Sequence, residues 1–347
     1  MTARTGRSTT TRTEGSTADR PADPEASHRT GSTRVEDAER PLVSVVLPTY
    51  NRPAELARAA ESVATQTYPA VELVVVDDCS AVPATEVLSD PALELGDLQV
   101  THVRHETNRG ANASRNDGIR AAAGDLVAFL DDDDEWAPEK LARQVAAFEA
   151  AGPDVGVVYT GMRFVRPDGH SEVCPTLRGT ITRDLLAGRS LSQFSAAMVR
   201  RDAIEAAGLP DERFPSWQDR EWYLRLSEVC AFESIPEPLC IRRLDVDDRI
   251  SDDFARKRDV SYPLLLATHR PLARRHGMER QFLAATAESL GKTALQSGSY
   301  RDARRLLLRA LRYDPVRSPR FYGFLFSALG GRPTYRALQR VSRVVGV

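Results

Sequence analysis

Apolar, largely β-branched residues fill positions 42–47 (LVSVVL) and give way abruptly to Pro48-Thr49-Tyr50-Asn51-Arg52-Pro53. A continuous run of this kind, closed by turn residues, predicts a buried parallel strand feeding a loop. Beyond Pro53, Leu56, Ala59, Ala60, Val63 and Ala64 recur at helical spacing, and the apolar run returns over 71–76 before stopping at Asp77-Asp78-Cys79-Ser80. Strand, helix, strand is a βαβ unit. The pattern repeats with a weaker strand over 98–103, a helix from about 111 to 122 and a strand over 126–130. A polar cluster follows the C-terminal end of these strands, the crevice where open α/β sheets bind ligands.

The last of these strands runs into Phe129-Leu130-Asp131-Asp132-Asp133-Asp134-Glu135-Trp136. Unpaired carboxylates this close repel one another and resist full ionisation. Asp131 and Asp133 stand two apart, so on an extended or turning backbone both point to one side and can share a hard divalent cation, which in turn can hold a diphosphate. The plainer alternative is a solvated helix N-terminus, with Pro138, Glu139 and Lys140 opening the helix. A calcium loop of the D-x-D-x-D-G kind fits worse, because Trp136 occupies the place of the turn glycine.

PTYNR after the first strand, VVVDDCS after the second, NRGANASRNDGI before the fourth, FLDDDDEW and a later WQDREWYLRL come in the order seen in family 2 glycosyltransferases of the GT-A fold, which residues 41–251 therefore resemble. The resemblance implies a mixed α/β sheet flanked by helices and an inverting, hexosyltransferase-type enzyme of polysaccharide or glycoprotein glycan synthesis. It assigns the nucleotide's base and ribose to Thr49, Tyr50 and Asp78, the diphosphate side to Arg115, and the D-x-D metal ligands to Asp131 and Asp133. Asp78 suits that part because a carboxylate accepts hydrogen bonds from an imide N–H or ribose hydroxyls; its structural alternative is to cap the following turn. A guanidinium such as Arg115 forks onto phosphate oxygens. Asn108 and Gly110 shape the turn ahead of it. Oxygen-only ligands favour Mg²⁺ or Mn²⁺ over zinc. Asp132 and Asp134 each either contact the donor sugar or cap the next helix.

The second carboxylate centre is Asp219, within Trp217-Gln218-Asp219-Arg220-Glu221-Trp222. Relatives commonly carry Glu-Asp here with the aspartate as general base; Gln218 keeps the base and removes a neighbouring charge. Displacement at an anomeric carbon needs a group that takes the acceptor hydroxyl's proton. The alternative for Asp219 is an N-cap of the helix through Leu224 and Leu226. Trp217 and Trp222 serve either as sugar platforms or as core. Arg243 and Arg249 stand where relatives place a basic, histidine-containing stretch that closes over the diphosphate.

Residues 1–40 lack Leu, Ile, Phe, Trp and Tyr and read as a flexible tail without an apolar leader; 41–254 form the catalytic domain and 255–347 a helical extension. Four scattered cysteines show no metal spacing and suit a reducing cytoplasm. The net charge of −2 conceals an asymmetry: residues 255–347 carry 19 Lys and Arg against 5 Asp and Glu. Residues 294–315 resemble part of a tetratricopeptide helix pair, without further repeats. The aromatic stretch 321–326 is too short to span a bilayer. A basic amphipathic end suits an anionic membrane surface, on the cytoplasmic face, or a lipid-phosphate acceptor, and otherwise a cap whose arginines pair with the acidic half. Expected partners are thus a nucleotide-sugar donor and a glycan or lipid-linked acceptor, and no nucleic acid. Competing readings are a nucleotidylyltransferase, whose glycine-rich basic loop is absent, and a non-catalytic nucleotide-sugar-binding scaffold on the same fold.

Overall fold

The computed structural model describes residues 40–244, 254–316 and 318–335. The tail 1–39 and Arg249 lie outside them. Within the described residues nine strands form one sheet of order β3-β2-β1-β4-β8-β6-β9-β5, with β7 paired to β6. The parallel half comprises β1 (Val43–Thr49), β2 (Val71–Asp77), β3 (Gln99–Arg104) and β4 (Leu126–Phe129). Here β1 is wholly buried, as its unbroken apolar run requires of a strand covered on both faces. The helices α1 (Pro53–Ala64), α2 (Ala84–Leu88) and α3 (Ala111–Ala121) make the crossovers. At Gly118 of α3 an added Cβ would sit 2.4 Å from Val46 Cγ1 of β1. Only glycine lets this helix lie so close to the sheet.

The acids do not run on into a helix. Asp134–Trp136 form a short strand, β5, before α4 (Lys140–Ala151), and β5 pairs antiparallel with β9 (Ala231–Arg243), placing Asp134 opposite Arg242. The long strand β6 (Val155–Arg166) and its hairpin partner β7 (Gly169–Val173) come next, then α5 (Thr182–Leu186), β8 (Ala197–Arg200), α6 (Arg201–Ala207) and α7 (Gln218–Leu226). Strand β8 runs antiparallel to both β4 and β6, so the sheet is mixed, as expected.

After short helical turns at Phe254–Arg256 and Lys257–Ser261 come four longer helices: α8 (Tyr262–Arg275), α9 (Glu279–Gln296), α10 (Tyr300–Tyr313) and α11 (Pro319–Gly330). The first two share a core with the sheet: Leu265, Leu272, Ala273, Met278 and Phe282 pack in one buried cluster with Phe129, Trp222, Tyr223 and Leu224. Buried Glu221 of α7 accepts from Arg225 and meets His269 Nε2 of α8 at 3.2 Å. The last two helices bury Leu307, Ala310, Phe321 and Leu325 in a separate cluster with Leu290 and Ala294 of α9.

Candidate active site

The C-terminal ends of β1, β2 and β4 and the start of α3 surround a cavity of about 360 Å³ lined by Thr49, Tyr50, Arg52, Asp78, Gly110, Arg115, Asp131, Asp132, Asp133 and Arg242. Thr49, Tyr50, Asp78, Arg115, Asp131, Asp132 and Asp133, named from the sequence for the donor, all line this cavity, whereas Arg243 does not. Asp219 lies in the wall of a second cavity of about 540 Å³, with Tyr159, Met162, Phe164, Leu177, Arg189 and Gln193.

The loops are tied before any ligand is considered. Asp77 Oδ1 accepts the Ser80 amide at 2.7 Å and its Oδ2 the Ala84 amide at 3.1 Å, so Asp77 caps the turn and the helix after β2. Neighbouring Asp78 does something else. Its Oδ1 accepts the Arg109 amide and meets His105 Nδ1, both at 2.7 Å, and its Oδ2 accepts the Gly110 amide at 2.8 Å. Gly110 adopts φ 89°, a left-handed backbone that costs glycine little. Among the described residues, the non-glycine positions with positive φ are Asn51, Cys79 and Trp217: after β1, after β2 and directly before α7. Such conformations cost of order 1–3 kcal/mol and persist where the surroundings impose them, commonly at functional sites.

Three of the four consecutive aspartates accept a hydrogen bond from a guanidinium, and Arg242 Nε approaches the fourth, Asp134, only to 3.9 Å. Arg115 Nη2 donates to Asp131 at 2.5 Å, Arg52 Nη1 to Asp132 at 3.0 Å and Arg242 Nη2 to Asp133 at 2.6 Å. Thr49 Oγ1 adds a bond of 2.9 Å to Asp132. Burial pushes Asp132 and Asp133 above the ordinary carboxylate range, against the pull of these arginines. Asp134 is the exception. Both of its oxygens are buried without a hydrogen-bond partner among the described residues. Burial, with Asp131 adding to it, pushes its carboxyl up to about 8. Asp131, Asp133 and Asp134 each bring a carboxylate oxygen within 4.8 Å of the others. An orphaned buried carboxyl in an all-oxygen triad fits a hard divalent cation, the Mg²⁺ or Mn²⁺ class.

Arg115 lines the first cavity and reaches the residue next to Asp219. It stacks 4.2 Å over Phe194, and besides Asp131 it donates to Gln218 Oε1 at 3.0 Å, so the glutamine that replaces the usual glutamate receives the guanidinium. Next to Gln218, Asp219 accepts the Arg220 amide at 2.7 Å. Burial holds the Asp219 carboxyl above its ordinary range, with the Asp131 charge pushing the same way and the Arg220 amide, Arg115 and Lys257 opposing.

Three contributors were not foreseen. Arg52 belongs to the PTYNR loop and Asp134 to the acidic run, so both stood inside motifs already quoted. Arg242 is placed by the β5–β9 register, which no sequence pattern announced. Arg243, the position expected, pairs instead with Glu135 at 2.6 Å. Of the two tryptophans, Trp222 is fully buried core, and Trp217 packs partly buried between the sheet core and the C-terminal helices.

Residues 44–208 match the profile of Glycosyl transferase family 2. An uncharacterized glycosyltransferase of Haemophilus influenzae is 39% identical over 205 residues, covering 57% of this chain and 67% of that protein. The succinoglycan biosynthesis protein ExoO of Rhizobium meliloti is 39% identical over 131 residues, 38% of this chain and 36% of its own length. The chain thus spans between about a third and two thirds of these curated relatives. Among solved structures, S. aureus TarS in complex with UDP-GlcNAc superposes with a TM-score of 0.58 at 18% identity, covering 88% of this chain and 92% of that one. The mannosyltransferase PcManGT of Pyrobaculum calidifontis, in complex with GDP-Man and Mn²⁺, gives 0.53 at 22% identity, covering 88% and 87%. These structural likenesses establish the fold.

Proposed function

The chain belongs to glycosyl transferase family 2, and from that premise we propose that it moves a sugar from a nucleoside diphosphate to a hydroxyl of a glycan or lipid-linked acceptor, with inversion at the anomeric carbon. One observation carries the reading: Arg115, in the wall of a donor-sized cavity lined by Asp131 and Asp133, donates both to Asp131 and to Gln218, the neighbour of Asp219 in the wall of a second cavity. A binding scaffold needs the first cavity and has no use for a half-buried base in the wall of the second.

Thr49 and Tyr50 at the mouth of the donor cavity suit the nucleotide's base and ribose. Asp78 Oδ2, with a single amide bond, keeps acceptor capacity for an imide N–H or a ribose hydroxyl. Asp131, Asp133 and Asp134 would hold Mg²⁺ or Mn²⁺, which supplies charge neutralisation for the departing diphosphate. Arg115 and Arg242, now occupied by Asp131 and Asp133, are placed to turn toward phosphate oxygens as those carboxylates take up the cation. Asp132, held by Thr49 and Arg52, faces the same cavity and is assigned to the donor sugar. Asp219 takes the acceptor hydroxyl's proton, and its raised pKa makes it a stronger base than an exposed aspartate. The second cavity is the acceptor site. A lipid-linked acceptor would bring the protein to the cytoplasmic face of an anionic membrane, which its basic end suits.

Calorimetric titration with UDP- and GDP-sugars, with and without Mn²⁺, tests the donor half. Metal-dependent binding is expected, and Asp131→Ala or Asp133→Ala should abolish it. Equal binding by both variants and the parent would remove the metal-bridged donor from the reading.

A further inference from the structure

The C-terminal helices use one face for packing and leave another uncovered among the described residues. Helix α10 buries Ala303, Leu307 and Ala310, and α11 buries Phe321, Leu325 and Ala328, in their shared core. On a different stripe of α11, at i, i+4 and i+7, stand Tyr322, Phe326 and Leu329, 45%, 68% and 54% exposed. Apolar side chains in helical register on the solvent side of a packed helix mark a contact surface. The charged residues of these two helices are mostly basic. Arg320 and Arg332 are exposed at the two ends of α11, and the open side of α10 carries Arg301, Arg304, Arg305 and Arg312 around Leu308. Among the described residues Arg301, Arg304 and Arg312 meet no acidic side chain, and Arg305 has only Asp302 at 4.0 Å. The pairing with the acidic half is sparse: Arg275 reaches Glu228 at 3.1 Å, and the arginines of α10 and α11 do not join it.

We propose that α11 docks on an anionic lipid bilayer, with Tyr322, Phe326 and Leu329 set into the headgroup–acyl boundary and the surrounding arginines on lipid phosphates. The proposal rests on the membrane-surface reading above and adds the face that makes the contact. Charge decides between the candidate occupants. A second copy of this chain would press one strongly basic end against another, with 19 basic residues to 5 acidic in each, whereas an anionic leaflet attracts the same end. Exposed aromatic and leucine side chains ringed by arginine are the composition of helices that lie in a membrane interface.

The full-length protein should co-sediment with vesicles of phosphatidylcholine mixed with phosphatidylglycerol, should ignore phosphatidylcholine alone, and should bind more weakly as salt rises. Phe326→Glu and Leu329→Glu, which alter exposed positions and should leave the melting temperature unchanged, are expected to lower partitioning by about tenfold or more. Arg301→Gln, Arg304→Gln and Arg312→Gln should each lower it about fivefold at low salt. A parent chain that ignores anionic vesicles at low salt overturns both the membrane reading and this face. Normal binding by the glutamate variants leaves the membrane reading standing and overturns the α11 face. A dimer that Phe326→Glu splits, without vesicle binding by the parent, assigns the face to a second copy and overturns the proposal.

Discussion

Asp219 is the residue on which turnover, rather than donor affinity, should depend. Loss of a general base costs about 10²–10⁴-fold, so Asp219→Asn should reduce turnover by that order while donor titrations stay unchanged. The pH dependence has a definite sign. A carboxyl raised above its ordinary range takes up its proton at higher pH than an exposed aspartate, so activity should fall on the acid side from a correspondingly higher pH. A kcat–pH profile checks this, because the acid limb should vanish from the residual activity of Asp219→Asn. Asp134 gives a second test, independent of turnover. Without metal its folded carboxyl holds a proton to about 8 against 3.8 ordinarily, so between those values the folded state binds the extra proton and stability declines as pH rises. Asp134→Asn removes that loss. In metal-free protein its melting temperature relative to the parent should climb from pH 5 to pH 8 (about the window of the shift), and the stabilisation that Mn²⁺ confers on the parent should shrink. A Mn²⁺ response equal to the parent's would take Asp134 out of the metal site.

At the scale of elements, the turn from β4 into β5 and α4 is held from behind by an unusual buried cation. Lys140 is fully buried, donates to Gln144 Oε1 at 2.7 Å and sits 3.8 Å over the Trp136 ring. Trp136 Nε1 donates to Ser195 O at 2.7 Å, and Ser195 Oγ accepts the Asp131 amide at 3.1 Å, so the packing behind the sheet reaches Asp131, the first of the clustered carboxylates. Burial lowers Lys140 to about 7. Between that value and 10.5 the unfolded chain binds the extra proton, so this group's contribution to stability rises with pH across the window and is least below it. Lys140→Met removes this dependence and leaves Gln144 Oε1 without its donor, a cost of about 1–3 kcal/mol. The parent's advantage in melting temperature over Lys140→Met should therefore be larger at about pH 9.5 than at about pH 7. An advantage independent of pH would show that Lys140 stays charged when buried.

On the scale of the whole molecule, α8 and α9 are part of the core that supports α7 and hence Asp219. Removing everything after Arg256 would strip Leu265, Leu272 and Phe282 from the cluster around Trp222. Each is worth about 1.5–3 kcal/mol when fully buried, together comparable with the roughly 5–15 kcal/mol of net stability of a typical domain. The truncated chain is expected to be insoluble or to lack a cooperative melt by circular dichroism. A soluble truncation with a parent-like melt would mean that the sheet half folds without these helices. No helix among the described residues is long and apolar enough to cross a membrane.

The sequence by itself determined the elements whose periodicity is local. The β-branched runs of β1 and β2, the helical spacing after Pro53 and the acids closing β4 each carry their own signal, and the order of five motifs fixed the family and the GT-A sheet. Tertiary structure decided what depends on partners distant in the chain. The β5–β9 ladder brings Arg242, rather than Arg243, to Asp133, 109 positions away. Burial divides four adjacent aspartates into three that accept hydrogen bonds from arginines and one, Asp134, whose oxygens have no hydrogen-bond partner among the described residues and meet Arg242 only at 3.9 Å. Asp77 and Asp78 look alike in sequence, yet the first caps a turn and the second holds the Arg109–Gly110 loop, because alternate residues at a strand end face opposite sides. Whether 255–347 was a detachable tail was equally beyond periodicity, which shows that a helix has an apolar face and not what covers it. The burial of Phe282 against the sheet core and the exposure of Phe326 were decided by packing alone.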